Sequence, residues 1–149
     1  MKDRSALRLL LLCVPVMFGL SMAPAVRVWK GAVKGQALCN IDGGVVWEGA
    51  VKAKAICNIR GDRVYEGAVQ GRTLFNFRNG VAWEGAVQGK ALFNIREDRV
   101  WEGAVQGKPL ANFHGTMMWK GAVQGTAILN TDAAISPIER AVLVHLFAR

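Results

Sequence analysis

The residues that could do chemistry in this chain are few, and their spacing does not assemble a catalytic set. Beyond residue 25 there is one serine, Ser136, and there are two histidines, His114 and His145. Ser136 and His145 fall in a C-terminal segment with helical spacing, whereas His114 falls in a polar turn. A nucleophile, a base and an orienting group therefore do not come together. The pattern predicts a non-enzymatic protein that uses no cofactor.

A glutamate recurs at an interval of eighteen residues, and a ring of carboxylates is one way to bind cations. Nearby Lys and Arg residues would compete with a cation for these side chains. We therefore interpret the glutamates as solvated or salt-bridged, and we predict no metal site. They are Glu48, Glu66, Glu84 and Glu102.

An aromatic residue and an asparagine recur at the same interval and form the candidate ligand-binding positions. Aromatic rings beside amides can stack on sugars and bind their hydroxyls, and six copies would add avidity. The competing interpretation is packing, because a Gly two places after each aromatic residue lets a ring or a second strand lie close to the backbone. The positions are Trp29, Trp47, Tyr65, Trp83, Trp101 and Trp119, with Asn40, Asn58, Asn76, Asn94, Asn112 and Asn130.

These positions belong to six consecutive units of eighteen residues, and such a period decides the architecture. Each unit has an aromatic-x-Gly-Ala-Val run and a second run with Asn near its end, as in "WEGAVQGKALFN" (83–94). Gly and β-branched residues interrupt any helical period, so 26–136 is predicted to be an all-β repeat domain. The units are 29–46, 47–64, 65–82, 83–100, 101–118 and 119–136.

Two turns divide each unit into a pair of strands. "QG" predicts a two-residue turn with a positive φ at Gly, and "RGD", "RNG" or "RED" predicts a polar turn. A hairpin across Gln88-Gly89 places Gly85 opposite Leu92 and Trp83 opposite Asn94.

Six such hairpins can close radially or as a barrel, and a β-solenoid is the alternative. A solenoid would stack like charges, such as Glu66 and Glu84, about 4.8 Å apart, which is destabilising. Closure also removes exposed sheet edges. The charges therefore favour closed hairpins.

Cys39 and Cys57 hold the same place in consecutive units. Hairpin closure separates them by two strands, or about 10 Å, which is too far for a disulfide. Solenoid stacking would bring them within reach. We predict buried free thiols and no disulfide.

The segment 137–149 departs from the repeat and is predicted to be a C-terminal helix. Ser136, Pro137 and Glu139 form a capping-box pattern, and an apolar stripe follows at helical spacing. Such a helix would plug an end of the β-structure or cover its last edge. The alternative is a membrane-peripheral scaffold that docks through this helix.

The N-terminal segment 1–25 has the pattern of a secretory signal peptide, with an apolar run at 9–23 and small residues Ala23 and Ala25 before the cleavage site. It predicts a periplasmic or secreted protein, with an uncleaved membrane anchor as the alternative. The chain carries a net charge of +8, and loss of three basic residues and one acidic residue with this segment leaves +6. That charge suits an envelope glycan or an anionic surface, and export argues against nucleic acid.

The alternation of strands and turns in "LFNFRNGVAWEGAVQGKALFN" (74–94) resembles that of the bacterial β-flower repeat proteins. The resemblance covers 29–136 and implies short hairpins around a central axis, with no activity and no functional residues. The "YEG" element followed by "GR" is similar, more weakly, to MORN repeats. We therefore expect a non-enzymatic structural or binding module of the bacterial envelope, with a multivalent glycan binder as the alternative.

Overall fold

A computed structural model of the protein describes residues 23–149, so the predicted signal peptide lies outside the described residues apart from its last three. The described chain forms twelve strands and then one helix. The elements are β1 (Val26–Lys30), β2 (Ala37–Asp42), β3 (Val45–Glu48), β4 (Ala55–Arg60), β5 (Arg63–Glu66), β6 (Thr73–Arg78), β7 (Val81–Glu84), β8 (Ala91–Arg96), β9 (Arg99–Glu102), β10 (Pro109–His114), β11 (Met117–Lys120), β12 (Ala127–Thr131) and α1 (Pro137–Phe147).

The strands form a closed antiparallel barrel in which each strand pairs with its neighbours in the chain and β1 pairs with β12. Barrel closure of hairpins is thus confirmed, and the solenoid alternative is wrong. At the seam Trp29 pairs with Asn130, as Trp47 pairs with Asn40 in an ordinary hairpin. The first and last strands therefore complete a sixth hairpin that no turn connects, and no sheet edge stays open.

Two kinds of connection alternate and define the two rims of the barrel. Two-residue turns form the tight-turn rim, where Asp42 pairs with Val45 and Arg60 pairs with Arg63. Six-residue segments, which we call the outer loops, form the opposite, long-loop rim. The outer loops are 31–36, 49–54, 67–72, 85–90, 103–108 and 121–126.

The predicted hairpin across Gln88-Gly89 is wrong in its register. Trp83 pairs with Asn76 of the preceding strand and with Ala91 of the following strand, and not with Asn94. Asparagine and aromatic residue do face each other, but they do so across the tight turn. The "GAVQGK" segment is an outer loop rather than two strand ends and a two-residue turn.

Gly85 explains the difference. Its φ of +69° is a left-handed conformation that ends β7 at Glu84. Its N–H donates to the carbonyl of Leu74 (3.1 Å), so it faces the preceding strand rather than Leu92. Within the described chain, a Cβ added at Gly85 would meet no atom within 4 Å. The glycine serves the backbone turn, therefore, and not the close approach of a ring.

The helix α1 runs through the lumen of the barrel. Ala141, Val142, Leu143 and Val144 are all buried, although four consecutive residues point to every side of a helix. Burial on every side requires a surrounding wall. An eight-stranded barrel is filled by its own side chains, whereas twelve strands leave room for a helix of about 10 Å diameter.

The two ends of α1 mark its direction through the barrel. Near the tight-turn rim, Arg140 Nη1 donates to Asp98 Oδ1 (2.8 Å), and its guanidinium lies 4.9 Å from the ring centroid of Phe113. Towards the long-loop rim, the His145 ring lies 5.0 Å from that of Phe75. Of the two predicted placements, a plug at one end or a cover for the last edge, the position of α1 corresponds to the plug. The helix lies within the lumen rather than only at its end. The capping box of Ser136 and Glu139 is also present.

Two sets of fully buried residues that recur once per unit lie along the lumen, and their residue types differ from unit to unit. Cys39 and Cys57 belong to one set, and both are buried and free. Burial raises the pKa of both thiols to about 12. The sets are Val28, Val46, Val64, Ala82, Val100 and Met118, and Cys39, Cys57, Phe75, Phe93, Ala111 and Leu129.

Helix length bears on how the chain relates to a membrane. Within residues 23–149 no helix is long and apolar enough to span a bilayer.

Candidate functional site: the repeated outer loops

Each outer loop is closed at its base by a backbone hydrogen bond between the residues that flank or end it. In the fourth unit, Glu84 N–H donates to the carbonyl of Lys90 at 2.9 Å. The corresponding bond is present in all six units, with the same length. The pairs are Lys30–Gln36, Glu48–Lys54, Glu66–Arg72, Glu84–Lys90, Glu102–Lys108 and Lys120–Thr126. One backbone geometry is therefore repeated around the rim.

The recurring asparagines fasten these loops to the outer wall. Asn94 Nδ2 donates to the carbonyls of Gly103 (2.9 Å) and Val105 (3.0 Å), which lie in the loop of the next unit. All six asparagines are buried and make the same pair of bonds. At the seam, Asn130 holds the first loop through Gly31 and Val33. Both amide hydrogens are thus used within the protein, and each asparagine couples one unit to the next.

The fastened loops present a ring of exposed valines. Val87 is 72% exposed, and the other members lie between 66% and 73%. Their carbonyls are held by the asparagines, so the side chains are presented by an ordered backbone. These are the large hydrophobic side chains that the described chain leaves exposed: Val33, Val51, Val69, Val87, Val105 and Val123. We call this set the valine ring.

The six aromatic residues lie on the outer face, because they alternate along the strands with lumen residues. Each is half-buried. Within the described chain, the buried Nε1 atoms of Trp47, Trp101 and Trp119 have no hydrogen-bond partner. The Lys34 ammonium lies 5.1 Å from the ring centroid of Trp29. The aromatic positions are therefore outside the core, and their role as sugar platforms stays a prediction.

The recurring glutamates are paired with basic residues of their own loops. The Nζ–Oε2 distance is 2.9 Å for Lys54 and Glu48, and 3.5 Å for Lys90 and Glu84. Arg72–Glu66 and Lys108–Glu102 repeat the arrangement at 3.0 and 3.6 Å. These pairs are more than half exposed, so each contributes little to stability. Within the described residues, no cluster of side chains could hold a metal ion.

The residues considered for catalysis lie in separate parts of the molecule. Ser136 caps α1, with its Oγ accepting from Glu139 N–H (3.4 Å). His145 lies in the lumen, and burial, with Arg149 as the next cause, lowers its pKa below the usual 6.5. His114 is the exposed last residue of β10. The arrangement brings none of the three together.

Comparison with protein families, curated proteins and solved structures finds no match to this chain. The resemblance to β-flower and MORN repeats therefore stays a prediction, and the functional argument depends on the geometry.

The valine ring was missed at the sequence level. A signal for it existed, since Val follows Gly-Ala in every unit. A β-branched residue beside alanine is typical of a strand, where it would be half-buried. The positive φ at the preceding glycine removes it from the strand and exposes it.

Proposed function

We propose that this protein is an exported, non-enzymatic binding module of the bacterial envelope, in which a barrel displays six equivalent loops to a repeating polymer. The observation that carries the proposal is the valine ring on loops fastened by asparagines. Equivalent weak contacts in a fixed ring gain avidity together when the partner also repeats.

Two features support a surface function over a lumen function. The lumen is occupied by α1, whose residues Ala141–Val144 are buried, so the interior offers packing rather than a ligand cavity. The repeated surface, in contrast, presents apolar side chains with ordered backbones, and exposed apolar groups of this kind mark interaction sites. The signal-peptide pattern and the basic charge support an envelope location.

A multivalent glycan binder is the second candidate, favoured by the position of the six aromatic rings on the outer face. The asparagine part of that hypothesis is weaker, because each Nδ2 already donates to two loop carbonyls. The membrane-docking alternative for α1 has no support from its position, since the apolar residues of that helix are enclosed by the barrel.

The test measures binding of the exported protein to isolated envelope polymer by co-sedimentation. Replacing alternate members of the valine ring in Val51→Ser/Val87→Ser/Val123→Ser should weaken binding by about tenfold or more. The matched control is Ala50→Ser/Ala86→Ser/Ala122→Ser, which alters exposed neighbours in the same loops.

Retention of full binding by the valine variant, or an equal loss in both variants, would overturn the proposal. The glycan candidate makes a separate prediction: soluble glycan fragments should compete for binding and shift Trp fluorescence. If the valine variant loses binding, and polymer addition leaves the Trp fluorescence of the unaltered protein unchanged, the contact is assigned to the valine ring.

A further inference from the structure

The charge of the long-loop rim is not the same in all six units. In the four middle units, a glutamate at the second place is paired with Lys or Arg at the eighth place, so these two places together carry no net charge. The first and last units instead carry Lys30 and Lys120 at the second place, with the neutral Gln36 and Thr126 at the eighth. Within residues 23–149, neither Lys30 nor Lys120 forms an ion pair.

Barrel closure brings these two exceptional units together. Lys30 ends β1 and Lys120 ends β11, and only β12 lies between these strands in the closed sheet. Two units that stand furthest apart in the sequence therefore form one positive sector of the rim. The loop backbone of these two units is the same as in the middle units, although the charges differ. The backbone hydrogen bonds Lys30–Gln36 and Lys120–Thr126 are both present.

A cavity of about 440 Å³ opens at the edge of this sector, where α1 reaches the long-loop rim. Its charged side chains are Lys108, Lys120 and Arg149 against Glu102, so cationic side chains outnumber carboxylates, and Lys108 lies 3.6 Å from Glu102. Its apolar lining includes Leu92, Pro109 and Leu110. The volume lies within the range of small-molecule sites.

A second cavity on the same rim, beside β6 and β7, provides an internal comparison. It has a volume of about 260 Å³ and is lined by one cation, Arg72, and one carboxylate, Glu84, together with His145. That cavity is balanced in charge, as expected from the ordinary pattern of the middle units. The excess of cationic side chains therefore distinguishes the cavity beside the last unit from this one.

We propose that the cavity beside Lys120 binds an amphipathic phosphate-type dianion, with the phosphate between Lys108, Lys120 and Arg149 and a short hydrocarbon group against Leu92 and Leu110. Lysine and arginine form charge-assisted hydrogen bonds to phosphate oxygens, and the excess of cationic side chains favours an anionic ligand. The apolar wall adds affinity for a hydrocarbon group over bare phosphate. The site does not depend on the valine ring or on the proposed polymer partner.

The experiment is calorimetric titration of the full chain with hexyl phosphate, inorganic phosphate and hexanol. Hexyl phosphate should bind more tightly than inorganic phosphate by about fivefold or more, and hexanol should show no binding. The decisive variant is Lys120→Glu/Thr126→Lys, which gives the last unit the charge pattern of the middle units. It should weaken hexyl phosphate binding by about tenfold.

The matched control is Lys30→Glu/Gln36→Lys, which makes the same change of net charge in the first unit, outside the cavity lining. It should leave the affinity within about twofold. Equal weakening by both variants would overturn the site in favour of a general charge effect. No binding of hexyl phosphate, or equal affinity for inorganic phosphate, would also overturn it.

Two sources can supply this ligand chemistry, a free metabolite and a lipid headgroup. Co-sedimentation with phosphatidylcholine vesicles, with and without phosphatidic acid, distinguishes them. Binding to phosphatidic acid vesicles that Lys120→Glu/Thr126→Lys abolishes would assign the site to a lipid. Binding of hexyl phosphate without vesicle binding would assign it to a free phosphate ester.

Discussion

The outer face and the lumen of this barrel are built from the same six units, yet they follow different rules. On the outer face Asn, Gly and Val are identical in every unit, because each loop is fastened by the same local hydrogen bonds. In the lumen, equivalent places range from Ala82 to Met118 and from Ala111 to Phe93.

The difference has a physical cause. The outer loops each meet only the adjoining unit, so one solution serves six times. The lumen residues all pack against one helix, which has no sixfold symmetry, and close packing then demands a different volume at each equivalent place. The outer face therefore repeats with sixfold regularity, whereas the residues that face the lumen do not.

The largest effect is expected from removal of one aromatic side chain that faces the lumen. Phe93→Ala should lower the free energy of unfolding by about 3–5 kcal/mol, because a fully buried ring leaves a cavity. Its contact with Phe75, at 6.2 Å between centroids, is also lost. Chemical denaturation provides the measurement.

The control for the lumen variant is Val87→Ala on the outer face, where the side chain is 72% exposed. It should change the free energy of unfolding by less than about 0.5 kcal/mol. Comparable losses in the two variants would contradict the distinction between lumen and outer face.

The second test concerns the outer fastening. Asn94→Ala removes two hydrogen bonds and leaves the carbonyls of Gly103 and Val105 without that donor. The expected loss is about 2–3 kcal/mol by the same measurement. Gln106→Ala, an exposed change in the same loop, should be neutral. A neutral result for Asn94→Ala would show that the loops hold their position without the asparagine.

The third test concerns the tight turn at residues 97–98, which contacts α1. Glu97 has φ of +56°, a conformation that suits glycine, and the next residue, Asp98, binds Arg140 of α1. Glu97→Gly should raise the free energy of unfolding by about 1 kcal/mol, because the strained conformation is relieved. The reciprocal change, Gly61→Glu at φ +61°, should lower it. Stabilisation by both changes would be inconsistent with strain.

The smallest effect is expected from pH. Burial lowers the pKa of His145 below 6.5 in the folded protein. The unfolded chain then binds a proton at higher pH than the folded chain, so stability is fully present above pH 6.5 and decreases as the pH falls below it. Thermal unfolding between about pH 5.5 and 7 measures this slope.

His145→Leu should flatten that slope, whereas His114→Gln, at the exposed end of β10, should preserve it. A slope that survives His145→Leu would assign the pH dependence to other groups.

Much of the fold could be predicted because its signals are local. The eighteen-residue period, the tight turns near Gly61 and Asn79, and the capping box of Ser136 each depend on residues close in the chain.

The register across the outer loops could not be predicted in the same way. "QG" has the composition of a two-residue turn, but the left-handed residue is the earlier glycine, Gly85. Which glycine takes a positive φ depends on Asn76, which holds the loop from the preceding unit. The sequence pattern accordingly indicates the aromatic and asparagine positions as candidate sites and does not indicate the valine ring.

By itself the sequence determined the strands, the sixfold repeat, the capped helix and the positions that recur, because each depends on short-range patterns of side chains. Only the tertiary structure decided that α1 lies in the lumen, that Lys30 and Lys120 share one sector, and that the valines face outward. Those features follow from the closure of twelve strands into one barrel. The width of the lumen and the proximity of the first and last units are properties of the whole barrel and not of any single unit.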